Sequence, residues 1–139
     1  MLKKQPLRSH EEICVFYKKQ PTYNPQMTQG KPYKWASQRS HSTNYNNHAK
    51  NNAINNLGDR YPKTILRFNQ ERGLHPTQKP VALFEYLINI YTNPGDVVLD
   101  NCMGSGTTAV ACIRTGRYFI SFETDLSYYQ IIQNRLRVD

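Results

Sequence analysis

The sequence predicts an α/β fold, a partial doubly wound, Rossmann-like sheet with a long polar loop segment. An apolar strand at 97–100 runs into a loop with two glycines one residue apart, at 101–106. A helix at 107–115, a strand at 118–123 and an amphipathic helix at 127–138 follow. Strand, helix, strand and helix within about forty residues are typical of a right-handed βαβ unit on a parallel sheet.

The region before this unit is predicted to add two strands and a helix. Residues 11–17 are nearly continuous in apolar and β-branched side chains, which favours a strand in a covered sheet. From 18 to 57, prolines, glycine and a run of Ser, Asn, His and Gln predict a long loop. A short strand at 64–68 follows, and then a helix that Thr77 caps and the turn at 93–96 ends.

The positive charge lies in one half of the chain. Residues 1–74 hold 13 Lys and Arg against 4 Asp and Glu, whereas residues 75–139 hold 5 against 6. A basic segment beside a near-neutral one suggests a surface that faces a polyanion, although lysines that keep a polar surface hydrated would give the same imbalance. Basic residues interleave with tyrosines there, as suits nucleic-acid contact. The candidate DNA-binding residues are Lys18, Lys19, Lys31, Lys34 and Arg39.

Membrane and metal partners are not expected. The sequence has no apolar run of membrane-spanning length and no signal-peptide pattern at its first residues, so we expect a cytoplasmic protein. Cys14, Cys102 and Cys112 form no C-x-x-C pair and have no histidine at metal-ligand spacing. We therefore interpret them as structural thiols in a reducing compartment and expect no metal.

Two carboxylates frame the glycine loop. Asp100 precedes the loop, and Glu123 lies 19 residues beyond Gly104, where doubly wound folds place an acid that binds ribose hydroxyls. The run 104–109 also satisfies G-x-G-x-x-A, so a nicotinamide cofactor must be weighed. However, Asp100 would repel a pyrophosphate and suits a cationic amino group. A ligand with ammonium, carboxylate and ribose fits better, which predicts S-adenosylmethionine as the cofactor.

These motifs give the chain a strong resemblance to the DNA amino-methyltransferases, in the order that places the catalytic motif ahead of the cofactor motif. Asn101 and Cys102 stand where that family usually has Pro-Phe. The resemblance covers most of the chain except the Asn-rich middle. The residues that carry it are His75-Pro76-Thr77-Gln78-Lys79-Pro80, Asp100 through Thr108, Phe122-Glu123-Thr124-Asp125 with Tyr128-Tyr129, and Arg8-Ser9-His10-Glu11-Glu12 leading into Val15-Phe16-Tyr17.

The resemblance implies a role for each cofactor-binding residue. Asp100 would bind the methionine amino group, and Glu123 would hold the ribose. Thr77 and Lys79 would reach the carboxylate. Simpler interpretations stay open: Asp100 as a helix-cap acceptor, Glu123 as a surface acid, Thr77 as a cap and Lys79 as an exposed lysine. The remaining cofactor-binding residues are those of the loop, Cys102, Gly104, Ser105 and Gly106.

No catalytic residue is predicted in these 139 residues. Methylation of an exocyclic amine needs a small polar acceptor, two adjacent prolines and an aromatic residue that stacks on a flipped base. The eight prolines of this chain are never adjacent, and no cysteine follows a proline, so cytosine-C5 chemistry is excluded too. We expect the C-terminal part of a methyltransferase that is inactive alone. It would be either a truncated gene product or one half of a split enzyme whose catalytic motif lies on a complementary polypeptide.

The sequence therefore divides into two predicted regions and leaves alternatives open. Residues 1–74 form a basic segment that faces double-stranded DNA or recognises the target, and residues 75–139 form the cofactor-binding βαβ region. Adenine N6 is favoured over cytosine N4 as the acceptor. One alternative is a non-catalytic DNA-binding or interaction remnant with a vestigial cofactor pocket, and another is a nicotinamide-dependent enzyme.

Overall fold

The computed structural model describes residues 9–36 and 53–137. Its elements form a mixed α/β structure, as the sequence predicts. In chain order they are β1 (Thr28–Gln29), β2 (Tyr33–Ala36), β3 (Ala53–Asn56), β4 (Asp59–Arg60), α1 (Val81–Tyr91), β5 (Val97–Asp100), α2 (Thr107–Thr115), β6 (Tyr118–Ser121) and α3 (Leu126–Leu136).

A parallel βαβ unit positions the glycine loop. β5 and β6 pair in parallel, with Val97 opposite Tyr118 and Asp100 opposite Ser121, and α2 connects them. Both strands therefore end at the same edge of the sheet, where the loop of residues 101–106 follows β5. The predicted βαβ unit is confirmed, with β6 ending two residues earlier than expected.

The core lies between the two-stranded sheet and helices α1 and α2. Val81 and Ile88 of α1 are buried against α2. Val98 and Phe119, one on each strand, pack against this cluster. Side chains alternate across a strand, so the residues between them face the opposite side. Small and medium side chains on α2 let the helix approach closely, and all of its core residues, Val110, Ala111 and Cys112 among them, are fully buried.

The other face of the β5–β6 sheet is apolar and exposed. Val97, Leu99, Tyr118 and Ile120 alternate with the core residues, and their side chains are 53% to 69% exposed. No other described strand extends this sheet at either edge. Such a contiguous apolar surface is typical of an interaction site rather than of an ordinary solvated face.

The C-terminal end of α1 is held by two side chains from distant parts of the chain. The Asn24 amide donates to the carbonyls of Thr92 and Asn89 at 2.9 and 3.3 Å, and the Asn24 backbone N–H donates to Ile90 at 2.7 Å. Arg117 donates to the Thr92 carbonyl and hydroxyl at 2.8 and 3.0 Å. These bonds satisfy carbonyls that the last turn of a helix leaves without partners.

A two-stranded antiparallel ribbon replaces part of the predicted long loop. β1 pairs with β4 and β2 pairs with β3, and a hydrogen bond of 2.8 Å from Gly30 N–H to the Gly58 carbonyl joins the two ladders. Gly58 has φ +122°, and a Cβ there would lie 2.6 Å from the Gly30 carbonyl oxygen. Arg60 stacks its guanidinium over the Tyr33 ring, 4.7 Å from the centroid. Polar composition concealed the ribbon because its strands pair with each other and need little apolar burial.

Two predicted strands are wrong. Residues 11–17 and 64–68 form no strand, and most of their side chains are exposed, with Phe16 91% exposed. Strand propensity expresses itself through pairing and packing against neighbours. Among the described residues, no strand lies beside either segment. The apolar pattern was thus present without the partner that would order it.

The helix starts also differ from the prediction. α1 begins at Val81 with Pro80 as its N-cap, and the Glu71 carboxylate accepts a hydrogen bond from the Val81 N–H at 3.0 Å, so Thr77 does not cap this helix as predicted. Proline suits the start because the first turn has no hydrogen bond for its missing N–H to make. α3 begins one residue before the prediction, where the Asp125 carboxylate accepts from the N–H groups of Ser127 and Tyr128. Among the described helices, none is both long and apolar enough to cross a membrane.

Candidate functional site

The glycine loop adopts a shape that requires its two glycines. Gly104 has φ +54° and Gly106 has φ +82°, in the left-handed region where a Cβ is strained. Within the loop, Gly106 N–H donates to the Met103 carbonyl at 2.9 Å, and Met103 N–H donates to the Phe122 carbonyl at 3.1 Å. The loop is therefore attached both to itself and to the segment that follows β6.

Glu123 holds the loop from the end of β6. Its carboxylate accepts hydrogen bonds from Gly104 N–H at 2.8 Å and from the N–H groups of Thr124 and Asp125 at 2.9 Å each. The Asp125 N–H, with those of Gly104 and Thr124, lowers the pKa of Glu123 below its ordinary value. An ionised carboxylate offers about four acceptor positions. One acceptor position is thus left for a ligand hydroxyl.

Asp100 holds the other side of the loop from the end of β5. Its carboxylate accepts a hydrogen bond from Cys102 N–H at 3.1 Å and another from the Thr108 hydroxyl, which is buried in the first turn of α2. The Asp100 backbone carbonyl accepts from Phe122 N–H at 3.0 Å. Asp100 at the end of β5 and Glu123 two residues beyond β6 are therefore each bonded to the loop between them.

The segment 75–80 packs against the same loop. A Cβ on Gly104 would lie 3.4 Å from the ring of His75, and the Thr107 hydroxyl donates to the Lys79 carbonyl at 3.3 Å. The His75 ring also meets the ring of Tyr128, with centroids 4.3 Å apart. Segment, loop and α3 thus meet around one histidine.

The side chains of Thr77 and Lys79 have partners in this structure. The Thr77 N–H donates to His75 Nδ1 at 3.1 Å, and the Thr77 hydroxyl lies 3.0 Å from the same nitrogen. The Thr77 N–H is thus bonded within the segment, to the ring that packs on Gly104. The Lys79 ammonium pairs with the Glu11 carboxylate at 2.5 Å, and their side chains are 42% and 72% exposed.

An open cleft of about 470 Å³ lies between α1 and β5. This volume is within the range of small-molecule sites. Its polar end is formed by Asp100, Cys102 and Thr108, and Cys102 is exposed there. Its apolar wall consists of Phe84, Leu87, Ile88, Tyr91 and Val98. Among the described residues, no three His, Cys, Asp or Glu side chains lie together as a metal site would require.

A family model described as N6_N4_Mtase, DNA methylase, matches residues 2–134 of this chain. The chain belongs to this DNA methylase family. The match covers both the basic half and the glycine-loop half.

Similar methylases include longer proteins from several bacteria. The type II methyltransferase M2.DpnII of Streptococcus pneumoniae is 45% identical over 67 residues, which are 48% of this chain and 25% of that protein. The type II methyltransferase M2.MboI of Moraxella bovis is 33% identical over 107 residues, 73% of this chain and 38% of that protein. The chain thus spans about a quarter to two fifths of the length of these relatives.

A solved structure, the M1.HpyAVI–SAM complex, is also similar to this methylase chain. It is 30% identical, covers 78% of this chain and 62% of that one, and aligns with a TM-score of 0.46.

The sequence-predicted site residues of this methylase chain fall into two groups. The structure gathers Asp100, Cys102, Ser105 and Glu123 with both loop glycines at one edge of the sheet. Thr77 and Lys79 lie beside the loop, Thr77 through its contact with His75 and Lys79 through its backbone carbonyl. The Lys79 ammonium bonds Glu11 and not the loop. The candidate DNA-binding residues Lys18, Lys19, Lys31 and Lys34 are all exposed, and Arg39 lies outside the described residues.

Three residues of the site were missed or undervalued by sequence reasoning. Thr108 bonds Asp100, His75 packs on Gly104, and Arg135 donates to the Ser105 carbonyl at 2.8 Å. The first two lie inside the motifs that carry the family resemblance, so that signal was available. Arg135 lies in the last turn of α3, and nothing in its spacing distinguishes it from a solvated basic residue.

Proposed function

We propose that this chain is the cofactor-binding and DNA-contacting part of a DNA amino-methyltransferase that uses S-adenosylmethionine as methyl donor. One observation carries the proposal. Asp100 ends β5 and Glu123 lies two residues beyond the end of the parallel strand β6, each accepts a hydrogen bond from the glycine loop, and an open cleft lies beside Asp100. The family match supports the same conclusion.

The donors and acceptors of the site fit this cofactor. S-adenosylmethionine carries an ammonium and a sulfonium, and Asp100 at the polar end of the cleft offers a complementary negative charge. Glu123 keeps one acceptor position for a ribose hydroxyl. Gly104 and Gly106 give the loop its left-handed turns, and no side chain caps the N-terminus of α2 beside them. Backbone N–H groups at such a terminus favour a ligand carboxylate.

Thr77 and Lys79 are assigned to the carboxylate end of the cofactor. In this proposal the Lys79 ammonium leaves Glu11 and pairs with the ligand carboxylate. Loss of the pair with Glu11 costs little, because an exposed ion pair contributes about 0–1 kcal/mol to stability. Cys102 and Ser105 are the other loop residues assigned to the cofactor. Cys102 would contact it in the cleft, and Ser105 would contact it through its backbone.

The bound cofactor would supply an electrophilic methyl group, and the residues of this chain would bind and orient it. The acceptor amine needs a polar residue, two prolines and an aromatic ring, and these 139 residues contain no adjacent prolines. We therefore propose that the motif lies outside these residues, in a further segment or a complementary polypeptide that docks against the β5–β6 sheet. The exposed apolar face of β5 and β6 supports this docking.

The basic half, residues 1–74, is proposed to contact double-stranded DNA and the half at 75–139 to hold the cofactor. The β1–β4 and β2–β3 ribbon exposes Lys31 and Lys34 together with the rings of Tyr33 and Trp35. Cations pair with phosphates, and exposed rings stack on bases. Adenine N6 is the proposed acceptor. The relative DNA adenine methyltransferase YhdJ of Escherichia coli, 47% identical over 64 residues, supports that choice.

Calorimetry with S-adenosylmethionine tests the proposed function. We expect binding in the micromolar range that Asp100→Asn weakens at least tenfold, because the amide keeps the shape of the side chain and loses its charge. Asp59→Asn in the ribbon makes the same charge change and should leave the affinity unaltered. No heat with S-adenosylmethionine would overturn the proposal in favour of a remnant with a vestigial pocket. Binding of NADH instead would favour the nicotinamide-dependent enzyme.

A further inference from the structure

Helix α3 supports the glycine loop from behind. The Arg135 guanidinium donates to the Ser105 carbonyl at 2.8 Å and lies 3.5 Å from its hydroxyl. Ser105 is 3% exposed, so this carbonyl has little access to water. A buried carbonyl without a partner is costly. The Arg135 side chain therefore satisfies a backbone group at the centre of the loop.

The same face of α3 also fixes the loop sterically. Ile132 is 1% exposed, and its Cγ1 would lie 3.0 Å from a Cβ on Gly106. Residues three apart on a helix share one face, so Ile132 and Arg135 meet the loop together. One contacts the backbone of Gly106, and the other bonds the carbonyl one residue earlier.

The segment from Glu123 to Arg135 thus holds the loop at two points with opposite charges. Glu123 accepts the Gly104 N–H, and Arg135 donates to the Ser105 carbonyl. A hydrogen bond at a carbonyl polarises its peptide group and strengthens the N–H of the next residue as a donor. That N–H belongs to Gly106, which donates to Met103 at 2.9 Å. The bond from Arg135 therefore supports the internal bond of the loop.

A simpler role for Arg135 would be to stabilise α3 itself. Cations near a helix C-terminus interact favourably with its dipole. Arg137, the C-cap of the same helix, could do this equally well and is exposed. Among the described residues no carboxylate forms an ion pair with Arg135. Arg135 thus has a bond to the loop that Arg137 lacks, and this difference can be tested.

We propose that Arg135 is a positioning residue, which fixes the glycine loop in its ligand-ready shape through the Ser105 carbonyl without touching the ligand. The effect on cofactor affinity rests on the proposed function, whereas the effect on the loop does not. A loop already held in shape loses less conformational entropy on binding. Removal of the bond should therefore weaken binding and loosen the loop in the absence of any ligand.

The test compares Arg135→Met with Arg137→Met, which removes an equal charge from the end of the same helix. Hydrogen exchange of the Gly106 amide in the ligand-free chain is the first measurement. We expect about tenfold faster exchange in Arg135→Met and no change in Arg137→Met. The Gly116 amide, at the far end of α2, should exchange equally in all three proteins.

The second measurement is the dissociation constant for S-adenosylmethionine. We expect Arg135→Met to weaken binding about tenfold and Arg135→Lys to retain part of the affinity, because lysine keeps a donor without the guanidinium fork. Arg135→Lys also serves if the Met variant does not fold. Equal exchange and equal affinity in the 135 and 137 variants would overturn the proposal. If the native chain binds no S-adenosylmethionine, the proposed function fails and the Gly106 exchange alone decides the role of Arg135.

Discussion

The Glu123 carboxylate accepts a hydrogen bond from the Gly104 N–H at 2.8 Å, across 19 residues of sequence. The bond joins the end of β6 to the loop that follows β5. A glycine loop of this kind needs an anchor, because glycine loses more conformational entropy on ordering than any other residue. Glu123 therefore has a structural role in addition to the ribose contact proposed for it.

Replacement of Glu123 should change how stability depends on pH. The pKa of Glu123 is lowered in the folded chain by the N–H groups of Asp125, Gly104 and Thr124. A lowered pKa contributes stability that is present above the unfolded value, about 4.3, and is lost as the pH falls through the folded value. Urea midpoints of Glu123→Gln should therefore fall less between pH 7 and acid than those of the native chain.

Glu12→Gln is the control for that experiment, since Glu12 is an exposed glutamate in the same chain. Its urea midpoints should follow those of the native chain at every pH. Parallel curves for native and Glu123→Gln proteins would show that the carboxylate does not anchor the loop.

Gly106→Ala should destabilise the chain more than Gly116→Ala. Both glycines have positive φ, +82° and +71°, so each alanine costs about 1–2 kcal/mol in backbone strain. A Cβ at position 106 would also lie 3.0 Å from Ile132, whereas position 116 has no atom within 4 Å. Overpacking adds about 1–3 kcal/mol. Urea unfolding of the two variants measures the difference, and equal losses of stability would contradict the packing of α3 on the loop.

Asn24→Ala should destabilise α1 from a distance. The Asn24 amide donates to the carbonyls of Thr92 and Asn89 at the end of that helix. Without these bonds the carbonyls must be satisfied by water, at a cost of about 1 kcal/mol. Urea unfolding checks this, with Asn69→Ala as the control because Asn69 is exposed. A change at Asn24 no larger than at Asn69 would show that the basic half is not fastened to α1.

Replacement of Lys31 and Lys34 by Gln should weaken binding to duplex DNA at all sequences. Removal of each lysine–phosphate ion pair should reduce the slope of log K against log salt by about 1. Fluorescence anisotropy over a salt series measures the slope. Arg137→Gln, in α3, makes the same type of charge change outside the ribbon and should leave the slope unaltered. A native slope near zero would count against a DNA surface in the basic half.

Two of the three thiols should react rapidly with Ellman's reagent in the folded chain. Cys14 and Cys102 are exposed, and Cys112 is buried. Burial raises the pKa of the Cys112 thiol and so lowers its reactive thiolate fraction. The third thiol should react after addition of urea. Rapid reaction of all three without urea would contradict the packing of α2 against α1.

The fold of the C-terminal half could be predicted because its signals are local. The strand at Val97, the glycine loop and the α2 helix that ends at Gly116 each follow from a short run of residues. The two carboxylates could be predicted because each follows a strand that the local sequence indicates. Parallel strands end at the same edge of a sheet, so the two acids were expected to lie close together. The strands expected at 11–17 and 64–68 failed because a strand depends on a partner that local sequence does not specify.

By itself the sequence determined the βαβ unit, the glycine loop, the acidic residues beside it and the uneven charge. The tertiary structure decided which groups these acids hold, that His75 packs on Gly104, and that Arg135 reaches the Ser105 carbonyl. It also decided that the ribbon forms within a polar segment. The physical reason is the separation of the interacting residues along the sequence. Turn and helix signals lie within a few residues. The contacts of the site join positions about 20 to 30 residues apart, and the ribbon forms by pairing across the chain.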